Sequence, residues 1–86
     1  MSFVHLTAGA GRNEILEKFL KKDPSIANWP LYIGTPLHQA ANGQRVETIK
    51  LLLRYGADKT LKDGDGNNPW RWADPNTRAL VPELEP

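Results

Sequence analysis

Two histidines are the side chains in this sequence best suited to chemistry near neutral pH. His5 and His38 each follow a hydroxyl residue, Ser2 or Thr35, by three positions, and they recur at a period of about 33 residues. An imidazole can transfer protons or bind a metal ion. It can also bond to a hydroxyl at a helix start, which is a structural role. Arg71 takes the same place in a third copy of the pattern, so a histidine-rich zinc site with the usual four ligands is not predicted.

A second candidate is the acidic loop over residues 63–67, which reads Asp-Gly-Asp-Gly-Asn. Its alternating oxygen-bearing side chains resemble the start of a calcium-binding loop. That loop would need glycine and glutamate at later positions, where this sequence has Asn68 and Asp74. Pro69 also predicts a helix start inside the loop. We therefore interpret the two Asp-Gly pairs as tight turns and predict no metal site.

The sequence offers no recognisable catalytic set. It contains no cysteine, and no Ser/His/Asp group has a plausible spacing. There is no phosphate-binding loop and no dinucleotide-binding glycine pattern, since Gly9 and Gly11 fall in an ordinary turn between helices. We predict that the chain is not an enzyme and that it has no catalytic, cofactor-binding or metal-binding residues.

The residues that must position these side chains lie in the stretch over residues 35–58. Thr35 can cap a helix, and Pro36 suits its first turn. Gly56 can adopt the left-handed conformation that often ends a helix. Between these signals the apolar residues follow helical spacing in two runs: Leu37, Ala40 and Ala41, then Val46, Ile49, Leu52 and Leu53. The stretch is predicted to be a helix–turn–helix hairpin, with its turn at residues 42–44.

The same pattern occurs before and after this stretch. A shift of about 33 residues aligns residues 2–34 and the partial segment 68–86 with residues 35–67, without an insertion. One hairpin cannot bury both of its faces, so the copies are expected to stack around one interior that includes Leu37, Leu52 and Trp70. The prediction is a single all-α domain over residues 1–86.

The ends of the stack carry expectations of their own. Ile15 is predicted on the buried face of the second helix, and Leu80 and Val81 are predicted to pack back from a short last helix. Pro82 should stop that helix, and residues 83–86 should be loose. No hairpin precedes Ser2 in this sequence, so the first unit is expected to be either an N-terminal cap or the point where a longer chain was cut.

On these residues the chain resembles the ankyrin-repeat family. The resemblance rests on the motifs Thr35-Pro36-Leu37-His38, Ala40-Ala41, Leu51-Leu52-Leu53 and Gly56-Ala57-Asp58. It implies an ankyrin-type α-solenoid of stacked helix–turn–helix pairs joined by β-turn or hairpin fingers. It also implies the structural role for His5 and His38. In the first finger, residues 23–34, Ile33 stands where the family usually has glycine, so a regular hairpin turn is not predicted there.

The resemblance further implies a partner-binding surface, because ankyrin arrays usually bind proteins through finger tips and the exposed side of the inner helices. The matching positions are Leu31, Tyr32, Gln39, Asn42, Asp65, Asn67 and Trp72. Tyrosine and tryptophan are typical interface anchors. Two alternatives stay open: Trp29, Tyr32 and Ile33 of the first finger could pack on the neighbouring finger, and Trp72 could cover the terminal helix.

We therefore predict a non-enzymatic protein–protein interaction module whose partner is another protein. The alternative is a self-associating structural or scaffold fragment of a larger ankyrin protein, in which the apolar first finger pairs two copies. The net charge of +1, with both signs spread along the chain, argues against nucleic-acid and membrane partners. The sequence also lacks a signal peptide and a long apolar run, so a cytoplasmic location is expected.

Overall fold

The computed structural model describes residues 2–86 and arranges them as three pairs of an inner and an outer helix. Two short 3₁₀ helices, at Pro24–Asn28 and Pro82–Leu84, follow the first and the third pair. None of the helices in residues 2–86 is long and apolar enough to cross a membrane. The α-helices are α1 (Phe3–Gly9), α2 (Asn13–Lys22), α3 (Pro36–Asn42), α4 (Val46–Arg54), α5 (Pro69–Trp72) and α6 (Pro75–Leu80).

Helix α3 lies at the centre of the stack. It packs against α1 on one side and α5 on the other, while the outer helices α2 and α4 contact each other. Trp70 of α5 packs against the buried core, which contains Leu37 and Leu52 as predicted. The fully buried large apolar side chains of this core are Leu16, Leu20, Leu37, Ile49, Leu52, Val81 and Leu84. The predicted all-α stack of helix pairs is confirmed.

Local polar contacts define where the inner helices begin. The side chains of Ser2 and Asn68 accept hydrogen bonds from the amides of His5 and Arg71, three residues further on. This satisfies backbone donors that the first turn of a helix leaves without an internal partner. Gly56, with φ of 91°, follows α4 in the left-handed conformation that its sequence position predicted.

The tip of the first finger is a tight turn without flanking strands. Leu31 and Gly34 form an isolated antiparallel bridge, with the amide of each donating to the carbonyl oxygen of the other at 3.1 and 2.8 Å. The bridge lies outside any strand, and neither Tyr32 nor Ile33 has the positive φ of the usual two-residue hairpin turns, so the prediction of no regular hairpin turn there is confirmed. Ile33 does not need glycine's freedom because its φ is not positive, and Gly34 takes the left-handed φ of 109° instead. A Cβ at Gly34 would lie 2.5 Å from His38 Cγ, so the turn packs directly on that imidazole.

The two ends of the stack correct the sequence expectations. Leu80 is 53% exposed, whereas Leu84 is fully buried in the second 3₁₀ helix and is not part of a loose tail. The second 3₁₀ helix directly follows Val81 and places Leu84 in the buried core. Ile15 is 38% exposed because no helix within residues 2–86 covers that side of α2; Thr48, at the matching place in α4, is covered by α2.

A buried histidine joins α3 to the second finger, residues 59–67. His38 Nε2 lies 2.7 Å from the carbonyl oxygen of Asn67, and the amide of Thr35 donates to His38 Nδ1 at 3.0 Å. A carbonyl can only accept, so Nε2 carries the proton and Nδ1 is the acceptor. The neutral imidazole satisfies both contacts, and it therefore links the start of one helix to the next finger along the stack.

His5 makes the equivalent link one repeat earlier. Its Nε2 lies 3.0 Å from the carbonyl oxygen of Trp29 and 3.1 Å from that of Gly34, and its Nδ1 contacts the hydroxyl of Ser2. These contacts use both ring nitrogens, as in His38. Burial lowers the pKa of both imidazoles below the ordinary value of 6.5, although the bonds to backbone carbonyls oppose this shift.

Mild acid should destabilise the fold. Because the folded pKa of His5 and His38 lies below 6.5, the unfolded chain binds more protons as the pH falls through that value. The free energy of unfolding should hence be greater at about pH 7.5 than at about pH 5, as measured by urea denaturation. The carboxyls of Asp63 and Asp74 have a pKa below the ordinary value of 3.8, so their protonation affects stability only at lower pH. A His5→Gln, His38→Gln double variant that retained the full pH dependence would contradict this assignment.

Truncation of Leu84 should destabilise the chain much more than truncation of Leu80. Leu84→Ala removes a fully buried side chain from the end of the core and should lower the free energy of unfolding by about 2–5 kcal/mol. Leu80→Ala is the matched control, since it deletes the same atoms from an exposed position in the same segment. Urea denaturation at one pH compares them. Equal effects of the two substitutions would show that residues 82–84 do not close the core.

Candidate protein-interaction groove

A groove of about 240 Å³ runs between the tips of the two fingers and the exposed side of α3 and α5. We call it the finger groove. It contains aromatic, amide and carboxylate groups, and its walls come from both fingers and from two inner helices. The lining residues are Tyr32, Ile33, His38, Gln39, Asn42, Asp63, Asp65 and Trp72.

Most of the positions predicted to contact a partner meet in this groove. Leu31 and Asn67 are the exceptions: the half-buried Leu31 pairs with Gly34 behind the finger tip, and the Asn67 carbonyl is bonded to His38. The predicted residues that line the groove are Tyr32, Gln39, Asn42, Asp65 and Trp72. Residues that are distant in the sequence are thus brought to one concave surface.

Tyr32 forms the wall contributed by the first finger. Its hydroxyl donates to Asp65 Oδ1 at 2.9 Å, and its carbonyl oxygen accepts from the Gly64 amide at 2.7 Å. A Cβ at Gly64 would lie 2.2 Å from ring carbons of Tyr32, so the ring can approach the second finger only because this residue is glycine. The Asp65 hydrogen bond and charge raise the pKa of the Tyr32 hydroxyl. The ring packs on the second finger yet stays 71% exposed.

Asp63 organises the opposite wall. Its Oδ1 accepts from the amides of Asp65 and Asn67 at 2.9 and 3.0 Å, and its Oδ2 accepts from the Trp72 indole Nε1 at 2.9 Å. Burial alone would raise the pKa of the Asp63 carboxyl, but these hydrogen bonds together lower it below 3.8. The carboxylate closes the second finger and orients Trp72, which remains 39% exposed.

Gln44 was not identified from the sequence, although it supports the end of the groove. Its Nε2 donates to the Trp72 carbonyl at 3.3 Å, and its Oε1 accepts from the Asp74 amide at 2.8 Å. These bonds hold the C-terminal end of α5. The backbone of Gln44 has a φ of 56°, which is uncommon for a residue with a side chain. A Gly-Gln turn pair signals a loop, but it does not reveal which element the glutamine will reach.

Three lining residues were likewise absent from the predicted contact set. Ile33 was viewed only as part of an apolar loop, His38 as a structural residue and Asp63 as a turn or calcium ligand. The position of Ile33 directly after Tyr32 in the sequence was the available signal, since neighbouring residues of a tight turn project from the same tip. The positions of His38 and Asp63 depend on how α3 and the second finger pack.

The histidine of the groove is already engaged in hydrogen bonds. Both nitrogens of His38 have hydrogen-bond partners, so the imidazole has no open nitrogen for proton transfer. Across residues 2–86, no group of three or more histidine, aspartate or glutamate side chains is arranged to hold a metal ion. The exposed lining groups are the aromatic rings of Tyr32 and Trp72, the side chain of Ile33, the amide of Asn42 and the carboxylate of Asp65.

Comparisons with known proteins agree with this architecture. The family model for ankyrin repeats (3 copies) matches residues 1–73. The chain is 39% identical over 51 residues, 59% of its length, to ARF GTPase-activating protein Git of Drosophila melanogaster. It is 39% identical over 54 residues, 63% of its length, to Ankyrin repeat and SOCS box protein 11 of Mus musculus.

A third relative is Transient receptor potential cation channel subfamily A member 1 of Homo sapiens, with 34% identity over 64 residues, or 71% of this chain. The matches span 7%, 17% and 6% of these three relatives, so the similarity concerns only a small part of each. The family match covers both complete repeats and the start of the third, where the helix pairs stack. The chain belongs to the ankyrin-repeat family.

Proposed function

We propose that this chain is a non-enzymatic module that binds another protein in the finger groove. Ankyrin repeats generally mediate protein–protein interactions, and their family match covers residues 1–73. The observation that carries the proposal is the gathering of Tyr32, Gln39, Asp65 and Trp72, from two fingers and two inner helices, around one open concavity.

The groove is organised before any partner arrives. Tyr32 is tied to Asp65, Trp72 to Asp63, and the Gln39 side chain donates to the Ile33 carbonyl at 2.9 Å. Each bond reduces the number of side-chain rotamers that binding would otherwise have to restrict, at about 0.5–1.5 kcal/mol per immobilised side chain. Aromatic rings held in this way supply contact area with little further loss of entropy.

The size of the groove indicates what part of a partner it holds. Its volume of about 240 Å³ is smaller than the ~300–1,000 Å³ of common small-molecule sites. That space suits one or two side chains that protrude from a larger contact. We infer that the partner rests on the finger tips and inserts a short segment between them.

Truncation of Tyr32 should weaken the binding of an identified partner. The Tyr32 ring is an exposed anchor, so Tyr32→Ala should reduce affinity by about 2 kcal/mol or more, roughly 30-fold. Trp29→Ala is the matched control, because Trp29 is an exposed aromatic residue of the same finger that lies outside the groove. Isothermal titration calorimetry measures both affinities, and circular dichroism checks the fold. An equal loss of affinity in both variants, or no loss in either, would reject the groove as the binding surface.

Self-association is the second candidate, and the exposure of the first finger favours it. Trp29, Tyr32 and Ile33 are all exposed on one short segment, and an apolar surface of this kind can pair two copies. The apparent mass should then rise with concentration, and Trp29→Ser should suppress that rise. Light scattering over a range from about 10 μM to about 1 mM measures this in the range of weak association. A constant monomer mass would exclude this candidate.

A further inference from the structure

The finger groove is acidic, although the chain as a whole is not. Two carboxylates, Asp63 and Asp65, line it, and none of its lining residues is lysine or arginine. His38 is neutral in its hydrogen-bonded form and adds no positive charge. The outer helices instead carry many of the cations, on side chains that face away from the core: Lys18, Lys21, Lys22, Lys50 and Arg54. The groove is therefore negatively charged, and a partner that complements it would carry positive charge.

The two carboxylates are not equivalent. Asp63 accepts three hydrogen bonds, from the Asp65 and Asn67 amides and the Trp72 indole. Both of its carboxylate oxygens are therefore already bonded within the protein. Asp65 accepts one side-chain bond, from the Tyr32 hydroxyl to Oδ1, and its Oδ2 accepts no bond from residues 2–86. Because Asp65 is exposed, this oxygen can accept a charge-assisted hydrogen bond from outside.

The aromatic residues add a second preference for positive charge. Tyr32 and Trp72 both line the groove, and the negative face of an aromatic ring attracts a cation placed over it. Each ring is held at its polar edge by a carboxylate and stays partly exposed, Tyr32 by 71% and Trp72 by 39%, so ring surface is available to a ligand. A planar guanidinium can stack on such a face and still direct N–H groups to a carboxylate, which an ammonium cannot do in the same way.

We propose that the finger groove recognises an arginine side chain on a protein partner, stacked against Tyr32 or Trp72 and bonded to Asp65. This inference rests on the proposed function and specifies the chemistry of that same site. It assigns Asp65 as the counter-ion and Asp63 as the residue that positions Trp72. A partner segment that presents aspartate, glutamate or phosphate would meet the same negative charge and be disfavoured.

The test uses a small peptide of defined charge. The probe is an acetylated and amidated Gly-Gly-Arg-Gly-Gly peptide, titrated into the isotopically labelled chain and followed by amide and indole NMR signals. The Trp72 indole signal and the amides of Tyr32 and Asp65 should shift. The matched peptide with citrulline in place of arginine has nearly the same shape without the charge, and it should bind about 10-fold more weakly. Raising the ionic strength should weaken only the arginine peptide.

Substitutions separate the groove from charge effects elsewhere. Asp65→Asn removes the counter-ion but leaves an oxygen that can accept the Tyr32 hydroxyl, so it should weaken the arginine peptide about 5- to 10-fold. Glu47→Gln makes the same change of charge on the exposed side of α4 and should leave affinity unchanged. Thermal unfolding of each variant shows whether the fold is retained.

The inference is overturned if the citrulline peptide binds as well as the arginine peptide, or if the arginine peptide shifts signals outside the groove or none at all. These results are distinguishable from failure of the proposed function. A protein partner that loses affinity with Tyr32→Ala, but is indifferent to Asp65→Asn and to salt, would uphold groove binding and reject the arginine. A partner indifferent to both substitutions would reject the groove itself.

Discussion

The hydrogen bond from His38 to the Asn67 carbonyl is the contact on which the finger groove depends. It joins the first turn of α3 to the last residue of the second finger at 2.7 Å, and the imidazole is almost completely buried. A buried polar group without its partner costs about 1–3 kcal/mol, so the finger is held to one position relative to the helix. The contacts of Asp63 with Trp72, and of Tyr32 with Asp65, are made from that position.

His5 repeats this link one unit earlier, where it holds the first finger through the Trp29 and Gly34 carbonyls. Arg71, at the matching place in the third unit, is exposed and makes no such buried link. The stack closes there by other means. Arg78 Nε donates to the Trp70 carbonyl oxygen at 3.0 Å, and the Arg78 guanidinium lies 5.0 Å from the centre of the Trp70 ring. Leu84 is buried in the core at the same end. Repetition of one hairpin therefore produces the interior, whereas departures from repetition produce the ends.

The same departures create the finger groove. Adjacent fingers have different compositions, one with apolar and aromatic residues and one with two Asp-Gly pairs, and the tyrosine of the first lies on the second. Gly64 permits this close approach, and the Asp63 carboxylate closes the loop by accepting a hydrogen bond from the Asn67 amide. Asp65 and part of each aromatic ring then stay exposed. A rigid, acidic and aromatic groove on an otherwise nearly neutral chain is the physical basis of the proposed selectivity for a cationic side chain.

The amino-acid sequence by itself determined the architecture. Helical spacing of apolar residues, Thr35-Pro36 and Gly56 as start and stop signals, and recurrence at about 33 residues identified the stack and its shared interior. These signals are local or periodic, so they can be recognised from the order of the residues alone. The structural role of both histidines was inferred from family resemblance and is confirmed by the contacts of their ring nitrogens.

Only the tertiary structure decided what happens at the ends and in the fingers. The turn between Leu31 and Gly34 needs no glycine at position 33, because Gly34 itself takes the left-handed φ and packs on the His38 imidazole. Leu84, rather than Leu80, joins the core because the 3₁₀ helix after α6 places it there. Gln44 and Asp63 became supports of the groove through partners that lie 28 to 30 and 9 residues away. Such contacts depend on how separate segments pack, and no local pattern of residue types encodes that packing.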